Sequence, residues 1–184
     1  ALDHPELYND HGYRLAGHIK KGKQLQLPNS SKELKDYISV ISNASVQYYN
    51  SYIQRAVHTV PTEDSPYFLR AIQVEDIWLN SYFSGDYNPI HKHGTASPIG
   101  LSSFLFVEMP QSIKEGYALD SAPSDEIPGL TGNDHFDGLT LLKWGYNYAS
   151  EDVVDALEYS QQTYLKPEEG MLYLFPRWMD HMVN

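Results

Sequence analysis

His91 and His93 stand two positions apart in the run Gly85-Asp86-Tyr87-Asn88-Pro89-Ile90-His91-Lys92-His93-Gly94. On a β-strand, side chains i and i+2 share a face at roughly 6.5–7 Å, so two imidazoles so placed can converge on one ion. Imidazole suits iron, zinc, copper and nickel alike, and the spacing by itself does not choose among them. A third ligand has to come from elsewhere in the chain. His181, just past the apolar run Leu172-Tyr173-Leu174-Phe175-Pro176, is in a position to supply it if a rolled-up sheet brings its first and last strands together. The chain has no cysteine, which excludes disulfides, thiolate nucleophiles and Cys-based zinc or iron–sulfur sites. Any metal must therefore be held by imidazole and oxygen. Paired histidines also occur as solvated loop residues or core hydrogen bonders, so H-x-H alone leaves the metal reading and the packing reading both open.

A rival constellation is His135-Phe136-Asp137, an H-x-D triplet upstream of His181. Gly132-Asn133-Asp134 before it and Gly138 after it are turn chemistry, not a strand presenting ligands. His135 and Asp137 therefore stand as the alternative metal site.

The elements that must position these residues are mostly short strands. Fifteen tyrosines and 13% aromatic residues bias the chain towards β structure. Tyr67 to Val74, Asp76 to Phe83, Gly100 to Met109, Leu139 to Trp144, Gln162 to Leu165 and Met171 to Phe175 are aromatic or β-branched runs separated by turns, as in a sandwich or barrel. Ahead of them, Tyr13-Arg14-Leu15-Ala16-Gly17-His18-Ile19 and Gln24-Leu25-Gln26-Leu27-Pro28 flank a Gly-containing turn and predict a hairpin within residues 1–28. Asn29, Ser30 and Ser31 offer N-caps, with Glu33 placed for a capping box from Ser30. Leu34, Ile38, Ile41, Ala44, Val46, Tyr49 and Ile53 then recur at largely helical steps, predicting one long helix within 29–56. Residues 67–184 would form the barrel, with 117–138, rich in Ser, Pro, Asp and Gly, as a long loop over its mouth. The 184 residues suit a single domain.

Thirteen Lys and Arg against 24 Asp and Glu give a net charge of −11. The only basic cluster is Lys20-Lys21-Gly22-Lys23, which argues against binding a nucleic-acid backbone. No apolar run approaches the 18 or so residues that span a bilayer, and the start lacks a signal-peptide pattern, so the expectation is a cytoplasmic protein with no membrane partner.

Three segments together resemble a known family. They are Tyr87 to His93, then Leu101-Ser102-Ser103-Phe104-Leu105-Phe106-Val107-Glu108-Met109-Pro110, then Pro167-Glu168-Glu169-Gly170-Met171 through Pro176 with His181. In this order they resemble the iron(II) and 2-oxoglutarate dependent oxygenases of bacteria and cyanobacterial phages, distantly similar to prolyl hydroxylases. The resemblance covers residues 67 to 183. It implies a double-stranded β-helix, a jelly-roll or cupin-like barrel with the metal at its mouth and a supporting N-terminal helix. It also implies Fe(II) and 2-oxoglutarate as cofactors and hydroxylation of a small-molecule or peptide substrate. A peptidyl or a free amino acid would fit. The alternative is a non-catalytic cupin-like protein that binds a metal or small molecule, and a purely structural protein is the third reading.

The sequence departs from the superfamily pattern at two points. His93 stands where a facial triad has its carboxylate. The metal is then held by His91, His93 and His181, by two histidines with water, or with a carboxylate drawn from Asp86, Glu108 or Asp180, and the three-histidine set is preferred. Related enzymes also bind the far carboxylate of 2-oxoglutarate through an Arg about ten residues past the last histidine, whereas this sequence ends three residues past His181. Either that Arg lies in a missing C-terminal strand, which is the expectation, or Arg177 or Lys143 substitutes for it, or the protein does not bind 2-oxoglutarate. Tyr82 and Asn80, alternating with Trp78, are placed to bind the cosubstrate carboxylate or else to pack in the core. Gly170 and Pro176 read as a turn and a strand stop, and Trp178 as a pocket wall or core residue. Asp120, Asp125, Glu126, Asp134 and Asp137 in the long loop hint at an amine-bearing partner.

Overall fold

The computed structural model describes residues 8–10, 18–93, 100–119, 138–144 and 161–183. Its order is β1 (Asn9–Asp10), β2 (Lys23–Leu27), α1 (Lys35–Val57), β3 (Ile77–Ser81), β4 (Asn88–His91), β5 (Leu101–Leu105), α2 (Gln111–Leu119), β6 (Thr140–Trp144), β7 (Gln161–Leu165), β8 (Leu172–Pro176) and β9 (Asp180–Val183). Every strand pairing is antiparallel, so the fold is mainly β with few helices. The chain divides into two units: residues 1–13 with 23–81, and residues 14–22 with 82–184.

In the first unit β2 lies between β1 and β3, with Leu25 facing Leu79 and Leu27 facing Ile77. Leu25 and Ile77 are buried, consistent with alternation that puts apolar side chains on one face. Among the described residues, β2 has β1 and β3 as partners, while His18 bridges Tyr87; residues 13–17 of the expected hairpin lie outside the described residues. The long helix begins at Lys35, several residues later than the Asn29–Ser31 caps suggest. Leu34 occupies the N-cap without a side-chain hydrogen bond, and Ser31 bonds to Glu33. Those residues are consumed by tight turns, with Ser31 N–H donating to Pro28 O and Leu34 N–H to Ser31 O. Only Ile41 and Ser45 of the helix are buried, one turn apart on one stripe. The expected strand at Tyr67 to Val74 does not form. Instead, the Asn50 amide of α1 donates to Leu69 O and accepts from Leu69 N–H, so a side chain satisfies this backbone in place of a strand.

In the second unit the sheets are β4-β9-β6-β7 and β5-β8. Among the described residues these do not close into a barrel. Their pairings are nested: β6 with β7, β5 with β8, and β4 with β9, all antiparallel about one centre. That is one long two-stranded ribbon. Its outer strand β9 also pairs with β6, its start, so the ribbon folds back on itself. Leu139, Leu141, Leu142 and Phe175 are buried, and each such side chain contributes about 1.5–3 kcal/mol. The first three residues of the expected 117–138 loop belong to α2. Pro110 O accepts from Ile113 and Lys114 N–H at its start, and Gln111 pairs with Glu115 one turn on. The rest of that loop, to residue 137, lies outside the described residues. No described helix is long and apolar enough to cross a membrane.

Candidate metal centre

β4 and β9 run side by side with His91 directly opposite His181. Asn88 is opposite Val183, so three steps on β4 match two on β9, and the register shifts between Asn88 and His91. In a regular strand Asn88 and His91 would face opposite ways. The extra residue, beside a proline that has no N–H for the ladder, turns both to one face. His93 lies beyond the strand end, and its N–H donates to Arg177 O at 3.2 Å. The pair is therefore brought together by a bulge and a backbone tether, and not by two successive positions of a regular strand.

The three imidazoles meet. One ligand atom from each lies within 4.8 Å of the others. The rings of His91 and His181 are 4.1 Å apart and tilted, and those of His93 and His181 are 5.0 Å apart and nearly parallel. His91 Nδ1 lies 2.7 Å from Pro89 O and His181 Nδ1 lies 3.2 Å from Met179 O. A carbonyl only accepts, so each Nδ1 carries its proton and each Nε2 presents a lone pair. Carbonyl groups fix metal-binding imidazoles in this way in many sites. His93 Nε2 and His181 Nε2 are 3.1 Å apart, a separation that calls for a proton or a cation between them.

Two of the rings are held in their neutral form. Burial, and then the neighbouring His91, push the His93 imidazole below its ordinary value. Burial, then His91, lower His181 to about 4, with His93 adding to this and the Met179 carbonyl partly opposing it. Both rings are therefore neutral at pH 7 and available as ligands. Phe175 stacks edge-on against His181 at 5.1 Å and shields it from water. One register step away on the same face, Asn88 and Thr140 both lie opposite Val183. Each buries a side-chain oxygen with no partner among the described residues. The donor set fits a divalent metal, and the orphaned oxygens fit a polar ligand beside it.

None of the three carboxylates weighed from the sequence joins the cluster. Asp86 accepts from the backbone amides of Lys20, Lys21, Gly22 and Phe83. Burial would raise this carboxyl, but those four amides outweigh it and hold it at about 2. Asp180 lies opposite Lys143, on the face of β9 turned away from His181. Glu108 is exposed beyond β5. By the same alternation Lys143 is on the other face of β6 from Leu142, which lies opposite His181. Trp178 is 57% exposed and belongs to no core. Gly170, at φ +80, completes a turn in which Met171 N–H donates to Glu168 O. Asn80 is exposed on β3 of the first unit, and Tyr82 is half-buried in the second. The alternative pair His135 and Asp137 lies outside the described residues. An open depression of about 400 Å³ at the end of α1, lined by Ser51, Gln54, Arg55, His58 and Val60, gathers no comparable set of ligands.

Sequence reasoning missed the tether from His93 to Arg177 and the polar row of Asn88 and Thr140. Asn88 was visible in Asn88-Pro89, where a proline within a strand signals a bulge; nothing local marks Thr140.

An antiparallel β protein that brings three imidazoles together has the donor set of a mononuclear metal site. Residues 76–184, more than half of the chain, match the family model described as "Putative 2OG-Fe(II) oxygenase", and the chain belongs to that family. No curated protein and no solved structure matches it.

Proposed function

We propose that the chain is an iron(II) and 2-oxoglutarate dependent dioxygenase of the double-stranded β-helix class, with His91, His93 and His181 as its metal ligands. It would hydroxylate a small-molecule or peptide substrate such as a free or peptidyl amino acid. The observation that carries this reading is the convergence of three imidazoles, two of them presenting Nε2, within a chain whose family is that of the oxygenases. The nested ribbon β4–β9, β5–β8, β6–β7 supports the fold assignment, since a double-stranded β-helix is such a ribbon wound up.

Iron(II) with 2-oxoglutarate supplies the oxidising power for hydroxylation, chemistry that no side chain here possesses. The chain's own contribution is orientation and shielding. Pro89 and Met179 carbonyls hold the Nδ1 protons of His91 and His181. Arg177 O holds the backbone at His93, and Phe175 covers one flank of His181. Three imidazole ligands bring no negative charge and leave both charges of a divalent ion uncompensated, where a carboxylate in the set would cancel one. The site is thereby biased towards an anionic ligand. Tyr82, which lies in the same unit as the triad, is the proposed cosubstrate contact on its position in the sequence.

The test is anaerobic titration with Fe(II) and then 2-oxoglutarate, following the visible charge-transfer band, on wild type and on His91→Ala. A band that disappears in the variant supports the oxygenase. Bound iron without a band overturns it in favour of the cupin-like metal-binding reading.

A further inference from the structure

We infer that the substrate brought to the histidine triad presents an aromatic ring, which seats at Ser102 against Phe175 and Phe104; the inference deepens the oxygenase reading and rests on it. It starts from how β5 and β8 sort their side chains. Successive residues of a strand face opposite ways. Ser102 lies opposite Phe175 and Phe104 opposite Tyr173. Phe106 continues that face, and its N–H donates to Met171 O just past the ladder. One face of the pair therefore carries Phe104, Phe106, Tyr173 and Phe175, while the other carries Leu101, Leu105, Leu172 and Leu174. Rings and aliphatic chains are kept apart.

The ring face is the one that reaches the metal centre. Phe175 meets His181 edge-on at 5.1 Å. Phe104 is 5.8 Å from Phe175, 5.1 Å from Tyr173 and 5.5 Å from Phe106, separations at which aromatic pairs attract. The rings form one continuous row leading away from the triad. A closed core would bury all of them. Phe175 is 4% exposed, but Phe104, Phe106 and Tyr173 are only half-buried and keep part of their surface open to solvent. The row is interrupted at one position, because opposite Phe175 stands Ser102, whose side chain ends one atom beyond Cβ. A ring placed there lies beside the aromatic that touches the triad, and about 7 Å along the strand from Phe104. An aryl group gains more from this seat than an aliphatic group of similar size, because ring pairs attract through edge and face electrostatics beyond the area they bury.

The experiment is calorimetric titration of the full chain, loaded anaerobically with Fe(II) and 2-oxoglutarate, with two probes. One is N-acetylphenylalaninamide and the other is N-acetylcyclohexylalaninamide, its ring-saturated counterpart. Wild type should bind the aryl probe roughly 3- to 10-fold more tightly. Phe104→Leu, apolar but without a ring, should remove most of that preference while leaving iron stoichiometry unchanged. Ser102→Phe, which fills the interruption in the row, should abolish binding of both probes, and it decides the matter if Phe104→Leu does not fold. Equal or tighter binding of the cyclohexyl probe by wild type overturns the inference. So does binding of neither probe, or an aryl preference that survives in both variants. The charge-transfer band of Fe(II) with 2-oxoglutarate, read on the same samples before a probe is added, judges the oxygenase reading separately. A band without an aryl preference sinks the ring seat alone, whereas an aryl preference without a band supports the seat and overturns the oxygenase.

Discussion

Asp86 and two of the triad's histidines, His91 and His93, sit at opposite ends of one short stretch, residues 86 to 93, and both ends are polar groups held by backbone. Asp86 is 6% exposed and meets four amide hydrogens, enough to occupy its lone pairs. His91 and His181 each spend one ring nitrogen on a carbonyl and leave the other facing its neighbours. The carboxylate looks like the better ligand in the sequence, yet its capacity is used up in tying the 18–22 segment to the start of β4. The imidazoles are half-satisfied, and that remainder is what chemistry requires. A buried polar group becomes a site when the protein leaves some of its bonding capacity unspent.

Breaking each cluster should give opposite phenotypes. His181→Ala should weaken iron(II) binding by more than about 100-fold, since loss of an outer partner alone costs 10–100-fold in such sites. Its metal-free melting temperature should not fall much, because the imidazoles gain little from one another without a cation. Metal titration and thermal melts on the same preparation check both halves. Asp86→Ala should do the reverse. Four amides lose their acceptor, the melting temperature falls by roughly 5–10 °C, and iron affinity changes by less than about twofold.

Acid should separate the clusters by window. His93 and His181 have folded-state values below their ordinary 6.5, His181 at about 4, so the unfolded chain binds protons first. Their contribution to stability is complete above pH 6.5 and lost as the pH falls towards 4. The Asp86 carboxyl is lowered from 3.8 to about 2, so its contribution persists down to about pH 4 and is lost between there and pH 2. Denaturation midpoints of the metal-free protein across pH 7 to 2 should show two declines, with only the upper one reduced by His181→Gln. A single decline confined below pH 4 would contradict the lowered values of His93 and His181.

The finest test concerns the orphaned oxygens. Thr140→Val removes a buried hydroxyl with no partner among the described residues at little change in shape. It should stabilise the metal-free protein by about 1 kcal/mol and weaken 2-oxoglutarate binding. Stabilisation without an effect on binding would make the hydroxyl a packing imperfection and not part of the ligand site.

Much of the site was legible because its chemistry is local. His91 and His93 announce themselves by spacing, and His181 by its place after an apolar strand. What misled were inferences that needed partners. Tyr67 to Val74 has strand composition, yet Asn50 takes its backbone bonds. Asp86 and Asp180 have ligand chemistry, yet one is saturated by amides and the other points away. Gln111–Leu119 was hidden because its Pro110 start resembled the edge of the loop expected over 117–138.

By itself the sequence determined the kinds of donor available, imidazole and carboxylate without thiolate, together with the alternation that sorts side chains onto two faces and the acidic balance of the surface. These follow from composition and from a two-residue period that needs no partner. Only the tertiary structure decided which donors meet. His93 and His181 are 88 positions apart, and their approach depends on the nested ribbon, the bulge beside Pro89 and the tether at Arg177 O. Contacts of that separation are set by how strands select one another across long loops, a choice governed by the whole sheet's burial and hydrogen bonding and not by any short run of residues.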